Sequence, residues 1–246
     1  MRLSIIIPAY NEEKRLNKEK ILDNYVNYFS KIYKNDFEII VVLNGCKDDT
    51  LNVVKQAAKK FKQIKYLDIK EAIGKGGAVV EGFKLAKGDL IGFVDADQST
   101  HADAFYDLVK KIDGFDCIIA SRYMKESIVN PSQPFFRRIP SIVFNLMVRA
   151  LFCLNFKDTQ CGAKLTKKDA LKSILNDLSV KKWAFDIDLL YCLKKKRFSI
   201  VEVPTVWSER TGSKLTFKTP YEMFMSILKL RLNHSSFARL HKFRSF

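Results

Sequence analysis

Short apolar runs alternate with longer charged segments over the first 120 residues. Leu3–Ile7 is a short, mostly apolar run. Glu12–Ile32 is long, charged and helical in period, and predicts one helix. Phe37–Leu43 (FEIIVVL) is rich in β-branched residues and predicts a strand. Asp49–Phe61 predicts a helix, Ile64–Ile69 a short strand, and Gly77–Ala86 a helix entered through glycines. Leu90–Val94 and Cys117–Ala120 predict strands around a helix at Ala102–Ile112. This alternation predicts an α/β fold with a mostly parallel sheet and helices on both faces. Ligands in such folds bind beyond the carboxyl ends of the strands.

The second half is less regular. Pro131 and Pro134 interrupt the chain. Ser141–Phe156 then predicts an apolar helix with one thin polar stripe: Ser141, Asn145 and Arg149. It is either a core helix or one lying in a membrane interface, with Arg137 and Arg138 toward headgroups. Lys168–Asn176 and Phe185–Lys195 predict helices, Ser199–Trp207 a strand, and Tyr221–Leu232 a last helix before a basic tail. In that tail Phe237, Leu240 and Phe243 could share a helical face beside Arg239, Lys242 and Arg244, which adds to the interfacial reading. The other reading is a frayed basic terminus. No run reaches the ~20 apolar residues of a membrane span, and no signal peptide is expected.

At 246 residues and 47% apolar the chain predicts one or two globular domains. A net charge of +16 favours an anionic partner: nucleic acid, anionic lipid or a phosphorylated substrate. Five scattered cysteines (Cys46, Cys117, Cys153, Cys161, Cys192) argue against a disulfide framework or zinc site and for a reducing compartment. His101, His234 and His241 form no ligand cluster by spacing.

Asp95 and Asp97 in GFVDADQST carry the sharpest chemistry. In an extended chain they share a face, with Ala96 turned away. Neighbouring carboxylates raise each other's pKa unless a cation relieves the repulsion. Mg²⁺ or Mn²⁺ would do so and could bridge to a diphosphate. A surface turn is the alternative. Pro8, Tyr10, Asn11 and Glu12 follow the first strand, where Tyr10 could stack on a base and Asn11 and Glu12 could bond base or ribose. Equally, Asn11 could cap a helix. Asn44, Asp48 and Asp49 carry the same two readings. Gly74-Lys75-Gly76-Gly77 would let backbone amides approach a phosphate at a helix N-terminus. It lacks the P-loop spacing, and no GxGxxG follows the first strand, which disfavours an NAD-dependent enzyme.

These stretches, with ASRY, DTQCGAKL, WAFDIDLL, EVPTVWSERTGSKL and ILKLRLN, resemble the GT-A-fold glycosyltransferases of family 2. The closer resemblance is to the polyprenyl-phosphate branch, dolichyl-phosphate glucosyltransferases and mannose synthases. DTQCGAKL paired with WAFDIDLL is most similar to the glucosyltransferase side. The resemblance implies a Rossmann-like GT-A domain over residues 1–217, with an amphipathic helix and basic tail at 218–246. It implies that Pro8, Tyr10, Glu12, Asn44 and Asp48 hold the nucleoside, with Lys75 near the nucleotide. Asp95 would face the ribose or the metal, and Asp97 would bind the metal on the diphosphate. Arg122, Arg210, Ser213 and Lys214 would bind phosphates, joined by Arg137 and Arg138, and Gln160, Cys161 and Gly162 would line the acceptor side. Two positions depart from the family pattern: Asn44-Gly45 replaces Asp-Gly, and Gln98-Ser99 follow Asp97.

The implied reaction moves a hexose with inversion from a nucleotide sugar, UDP-glucose favoured over a GDP-hexose, to polyprenyl (dolichyl) phosphate. Asp97, Asp186, Arg210 and Lys214 would form the catalytic group. A phosphate acceptor is already anionic and needs no general base. A glycan hydroxyl would need one, with Asp186 first and Asp188 second, unless both are simply exposed acidic positions. The charge pattern adds a peripheral enzyme on the cytosolic face of an anionic membrane, with no nucleic-acid partner. A basic nucleic-acid-binding protein is the rival of a different class, but it lacks an RRM-type motif, and Asp95 and Asp97 would repel phosphates without a metal. A catalytically dead lipid-binding relative is disfavoured by intact Asp95, Asp97 and Lys214.

Overall fold

The computed structural model describes residues 1–131, 135–180, 184–208 and 219–234. The strands are β1 (Leu3–Ala9), β2 (Phe37–Asn44), β3 (Ile64–Ile69), β4 (Leu90–Phe93), β5 (Cys117–Ser121), β6 (Ile128–Asn130), β7 (Lys164–Lys167), β8 (Ile200–Pro204) and β9 (Val206–Ser208). The helices are α1 (Glu13–Glu19), α2 (Ile21–Tyr33), α3 (Thr50–Lys60), α4 (Lys75–Leu85), α5 (Ala102–Lys110), α6 (Phe135–Phe152), α7 (Lys168–Ile174), α8 (Phe185–Lys195) and α9 (Thr219–Asn233).

Seven strands form one sheet in the order β3-β2-β1-β4-β7-β5-β8. All its pairings are parallel except those of β7, which runs antiparallel to both β4 and β5. The strands alternate their apolar side chains between two cores. Ile5, Ile7, Ile39 and Val41 meet α1, α2, α3 and α5 on one face. Ile6, Ile40 and Val42 meet α4 and α6 to α9 on the other. This is the expected mostly parallel α/β sheet with helices on both faces.

Several boundaries differ from the sequence expectation. The single helix at Glu12–Ile32 is two, because Lys20 adopts a left-handed φ of 47° and turns the chain. That turn lets α1 pack on α3 while α2 packs on α5. The strand expected at Ser199–Trp207 divides at Thr205: β8 joins the main sheet, while β9 pairs with β6 in a separate two-stranded sheet. The strand β7 escaped pattern reading because two of its four residues are lysines.

Helix α6 starts at Phe135 rather than Ser141 and stops at Phe152, where Cys153 takes a φ of 54°. Of its polar stripe, Asn145 and Arg149 turn inward, and the Ser141 side chain lies outside the described residues. Asn145 is buried and accepts from Thr159 N and Thr159 Oγ1, and Arg149 Nε donates to the Phe156 carbonyl. Ile142, Val143 and Leu146 are 51%, 50% and 63% exposed. Phe144, Val148 and Phe152 fill the core, so α6 is at once a core helix and a bearer of outward apolar side chains. Helix α9 packs on α6 and sinks Ile227 and Leu230 into the same core, so it is not a loose appendage of the sheet. The tail from 235 onward, with its expected amphipathic face, lies outside the described residues.

Candidate active site

β4 ends at Phe93, and Ala96–Asp97 form a turn, so the extended geometry expected through Asp95 and Asp97 is not what presents them. Asp97 Oδ1 instead accepts from Ser99 N at 2.9 Å across Gln98, which takes a left-handed φ of 58°. The buried Tyr25 hydroxyl of α2 donates to the Thr100 carbonyl at 2.7 Å and pins the turn from below. A strained backbone held this firmly marks a place where the fold spends stability on position.

Asp95 Oδ1 lies 2.6 Å from Lys75 Nζ, with side chains 35% and 36% exposed. Burial is the main influence raising the Asp95 pKa; Lys75 opposes it, and Asp97 and Asp186 add to the rise. For Lys75, burial works against the charge, but Asp95 and then Asp186 outweigh it and raise the ammonium pKa. Asp97 and Asp186 are thus close enough to act on the charge of Asp95, whose ion-pair partner is Lys75. The set of hard oxygen donors with surplus negative charge fits a divalent ion such as Mg²⁺ or Mn²⁺.

Asp186 reaches this group from α8. It is buried, not exposed, and its Oδ1 receives the Lys164 Nζ at 2.5 Å. Lys164 is fully buried on β7 and also donates to the Cys161 carbonyl at 2.7 Å. Lys75 and Lys164 both lie against the Phe93 ring, 5.7 and 5.4 Å from its centre. Cys161 is a buried thiol, pushed up to about 12 by burial and then by Asp158. Asp188, the second candidate base, is also buried. It accepts from Ser179 N at 2.7 Å and Val180 N at 2.9 Å and meets His234 Nε2 at 2.7 Å, so it faces away from the cleft.

Two glycines shape the site by close approach. A Cβ on Gly162 would lie 1.9 Å from Asp95 Oδ2, so only hydrogen lets the loop before β7 close against that carboxylate. A Cβ on Gly76 would lie 2.3 Å from the Phe185 Cβ. In Gly74-Lys75-Gly76-Gly77 this glycine thus lets α4 pack closely on α8. Helix α4 also begins at Lys75 rather than Gly77, which aims the Lys75 side chain at Asp95.

The residues expected around a nucleoside do come together at the ends of β1 and β2. Pro8 belongs to β1 itself, paired with Val42 and not in the following loop. Tyr10, just past β1, is 41% exposed. Asn11 does not cap α1; its Oδ1 accepts from Lys47 N at 2.7 Å and ties the first loop to the second. Glu12 bonds Arg15 Nη1 at 2.9 Å through its side chain and Thr50 Oγ1 through its N–H. Asn44 Oδ1 accepts from Ile73 N at 2.7 Å, so it braces the loop before α4. Asp48 accepts from Thr50 N at 3.1 Å and Glu13 N at 3.2 Å. Burial opposes the Asp48 charge, but the Thr50 and Glu13 bonds win and hold its pKa low.

Arg122 is committed to protein. Its Nε and Nη2 bond Asp158 at 2.7 and 2.9 Å, and its N–H adds a third bond to the same carboxylate at 3.0 Å. The guanidinium also stacks near Trp207 and Tyr123, 5.2 and 5.4 Å from the rings. The arrangement braces the loop at 158–162, and a direct phosphate contact would have to compete with it. In that loop the buried Gln160 Nε2 has no partner among the described residues, a donor left for a ligand. Arg137 and Arg138 sit in the first turns of α6, with side chains outside the described residues. Arg210, Ser213 and Lys214 also lie outside them.

Sequence reasoning passed over Lys164, Tyr25 and Asp158. Lys164 and Asp158 lie inside DTQCGAKL, a stretch singled out for its Gln, Cys and Gly. The only further signal was a lysine in an otherwise buried segment.

Residues 4–175 match the profile described as Glycosyl transferase family 2. The chain is 34% identical over 245 residues to a dolichyl-phosphate beta-glucosyltransferase of Dictyostelium discoideum, covering 94% of this chain and 74% of that one. It is 32% identical over 249 residues to the Homo sapiens dolichyl-phosphate beta-glucosyltransferase, covering 95% and 76%. The fold superposes with a TM-score of 0.67 on Mycobacterium tuberculosis glucosyl-3-phosphoglycerate synthase in complex with Mn²⁺, UDP and glucosyl-3-phosphoglycerate, at 17% identity and covering 96% and 81% of the two chains. The converging carboxylates at the carboxyl ends of a GT-A sheet thus have a family to match: this chain belongs to the family 2 glycosyltransferases.

Proposed function

We propose that this enzyme transfers a hexose with inversion from a nucleotide sugar, UDP-glucose by preference, to polyprenyl (dolichyl) phosphate. The observation that carries the reading is the Asp95–Lys75 pair, with Asp97 and Asp186 close enough to act on its charge. The similarity to dolichyl-phosphate glucosyltransferases across most of both chains supports the acceptor class.

Asp97 and Asp95 would hold Mg²⁺ or Mn²⁺, which when bound supplies positive charge at the leaving diphosphate. Lys75 adds a second positive charge beside it, and is positioned to exchange Asp95 for a diphosphate oxygen. Tyr10 offers a face to the base. Lys164 fixes Asp186 as a counter-charge behind Lys75. The acceptor phosphate attacks as an anion, and the proton bookkeeping ends there. A glycan-hydroxyl acceptor is the second reading, with Asp186 as its base through Oδ2, since Oδ1 is held by the buried Lys164.

No described helix is long and apolar enough to cross a membrane. The outward Ile142, Val143 and Leu146 of α6, beside Phe224 and Met225 of α9, support peripheral docking on an anionic, cytosol-facing membrane surface.

The test is incubation of the purified protein with Mg²⁺ or Mn²⁺, short polyprenyl phosphate and a panel of UDP- and GDP-sugars, read by mass spectrometry. A glucosylated lipid phosphate formed from UDP-glucose is the expected product. Sugar transfer to a glycan hydroxyl, with none to lipid phosphate, would overturn the acceptor assignment.

A further inference from the structure

On the far side of α8 from the cleft, three side chains of different chemistry converge. Asp188 Oδ1 lies 2.7 Å from His234 Nε2 and 3.5 Å from Cys192 Sγ, and that sulfur lies 3.9 Å from His234 Nε2. Asp188 and Cys192 are buried, and the His234 side chain is 10% exposed. We propose that Asp188, Cys192 and His234 form a second cation site, distinct from the carboxylate cleft, for a borderline ion of the Zn²⁺ class.

The geometry favours convergence on one ion. Asp188 and Cys192 are four apart on α8 and share one of its faces. His234 arrives from the end of α9, so the cluster spans two helices that are far apart in sequence. The spacing rules that argued against a zinc site and a His cluster could not see this, because the third ligand stands 42 residues beyond the second. Ligand atoms around a tetrahedral zinc lie roughly 3.3–3.6 Å apart, given its bond lengths. The three observed separations straddle that range, so small side-chain shifts would close the site, with water as the fourth ligand.

The surroundings also orient the ligands. Asp188 Oδ2 is occupied by Ser179 N and Val180 N, which leaves Oδ1 aimed at the cluster. The Tyr191 ring stands edge-on to His234, 5.0 Å away, and limits its rotation. A thiolate, an imidazole and one carboxylate select a softer ion than the all-oxygen set at Asp95 and Asp97. Asp186 and Asp188 are about 200° apart around the helix, so the two sites do not share a face. An ion here would clamp α9 to the helix that delivers Asp186.

The experiment uses the untagged full-length protein, dialysed against chelator and titrated with Co²⁺ as a coloured stand-in for Zn²⁺. The expected result is one equivalent giving a thiolate-to-cobalt charge-transfer band that Zn²⁺ abolishes. The band should vanish in Cys192→Ser, weaken at least tenfold in apparent affinity in His234→Gln, and persist in Asp97→Asn. A wild-type protein shown folded by circular dichroism that gives no such band overturns the site, and means that hydrogen bonds alone hold the three groups. A band that survives in Cys192→Ser overturns it as well.

Discussion

Arg122–Asp158 and Lys75–Asp95 are both cation–carboxylate pairs, beyond the carboxyl ends of β5 and β4, the two strands that flank β7, yet they are built to opposite ends. Arg122 grips Asp158 through three bonds and two aromatic rings. Burial opposes the Asp158 charge, but Arg122 overrides it and holds the carboxyl below its usual range. Lys75 makes one contact to a half-exposed Asp95, whose pKa is driven the other way by burial and by its acidic neighbours. The difference separates architecture from function. A pair whose carboxylate is bonded at both oxygens holds a loop in place, and a pair left with surplus charge keeps capacity for a ligand.

Substitutions in and around the two pairs can break or sharpen that contrast. Asp97→Ala removes part of the surplus charge and should lower kcat/KM on the order of 10³-fold, with an unchanged circular dichroism spectrum. Turnover near wild type would leave the open pair without a catalytic purpose. Arg122→Met strands a buried Asp158 and should cost about 3–5 kcal/mol in urea unfolding. Lys75→Met should cost below about 1 kcal/mol, because its pair is part-exposed, while raising the KM for donor. Equal losses of stability in the two variants would erase the distinction.

Gly162→Ala pushes a methyl group into Asp95. Turnover should fall about 10²-fold, as expected for a displaced catalytic group, while the urea midpoint holds within error. Acid unfolding tests the closed pair. The Asp158 pKa is lower folded than its unfolded value of about 3.9, so its stabilisation is present above that pH and fades as pH falls through the folded value. Asp158→Asn, although less stable at neutral pH, should show a shallower loss of stability between about pH 4 and pH 2; an identical slope would deny Asp158 that role. The smallest effect is expected outside both pairs. Leu146→Glu should reduce sedimentation with anionic vesicles severalfold, yet leave turnover of a short, water-soluble acceptor unaltered. Undiminished vesicle binding would remove α6 from the membrane surface.

Legibility in the sequence followed the physics of each element. The strands β1, β2 and β4 are buried on both sides and announce themselves as apolar runs. Helix α8 was read at its observed ends, Phe185 and Lys195. The strand β7 was invisible because its key residue is a buried lysine, whose burial makes sense only beside Asp186 on another element. Asp95 and Asp97 were found as residues, but the reason for their placement was not, since a left-handed Gln98 and a tyrosine from α2 replace the strand pleat. Arg122 carried a phosphate-binding residue type, and only the fold brings Asp158 to it. The outward apolar face of α6 shows a limit of helical periodicity, which marks two faces without saying which one meets the core.

The antiparallel strand β7 also governs how this molecule can be divided. Among the described residues it is the only strand paired with both β4 and β5, and it comes from the half of the chain that carries Gln160 and Asp186. A polypeptide released after β5 would expose two open strand edges where β7 belongs, an invitation to self-association. The half of the chain up to β5 therefore cannot be borrowed as an independent module. Recombination between relatives should succeed only where the exchanged piece carries β7 and α8 together.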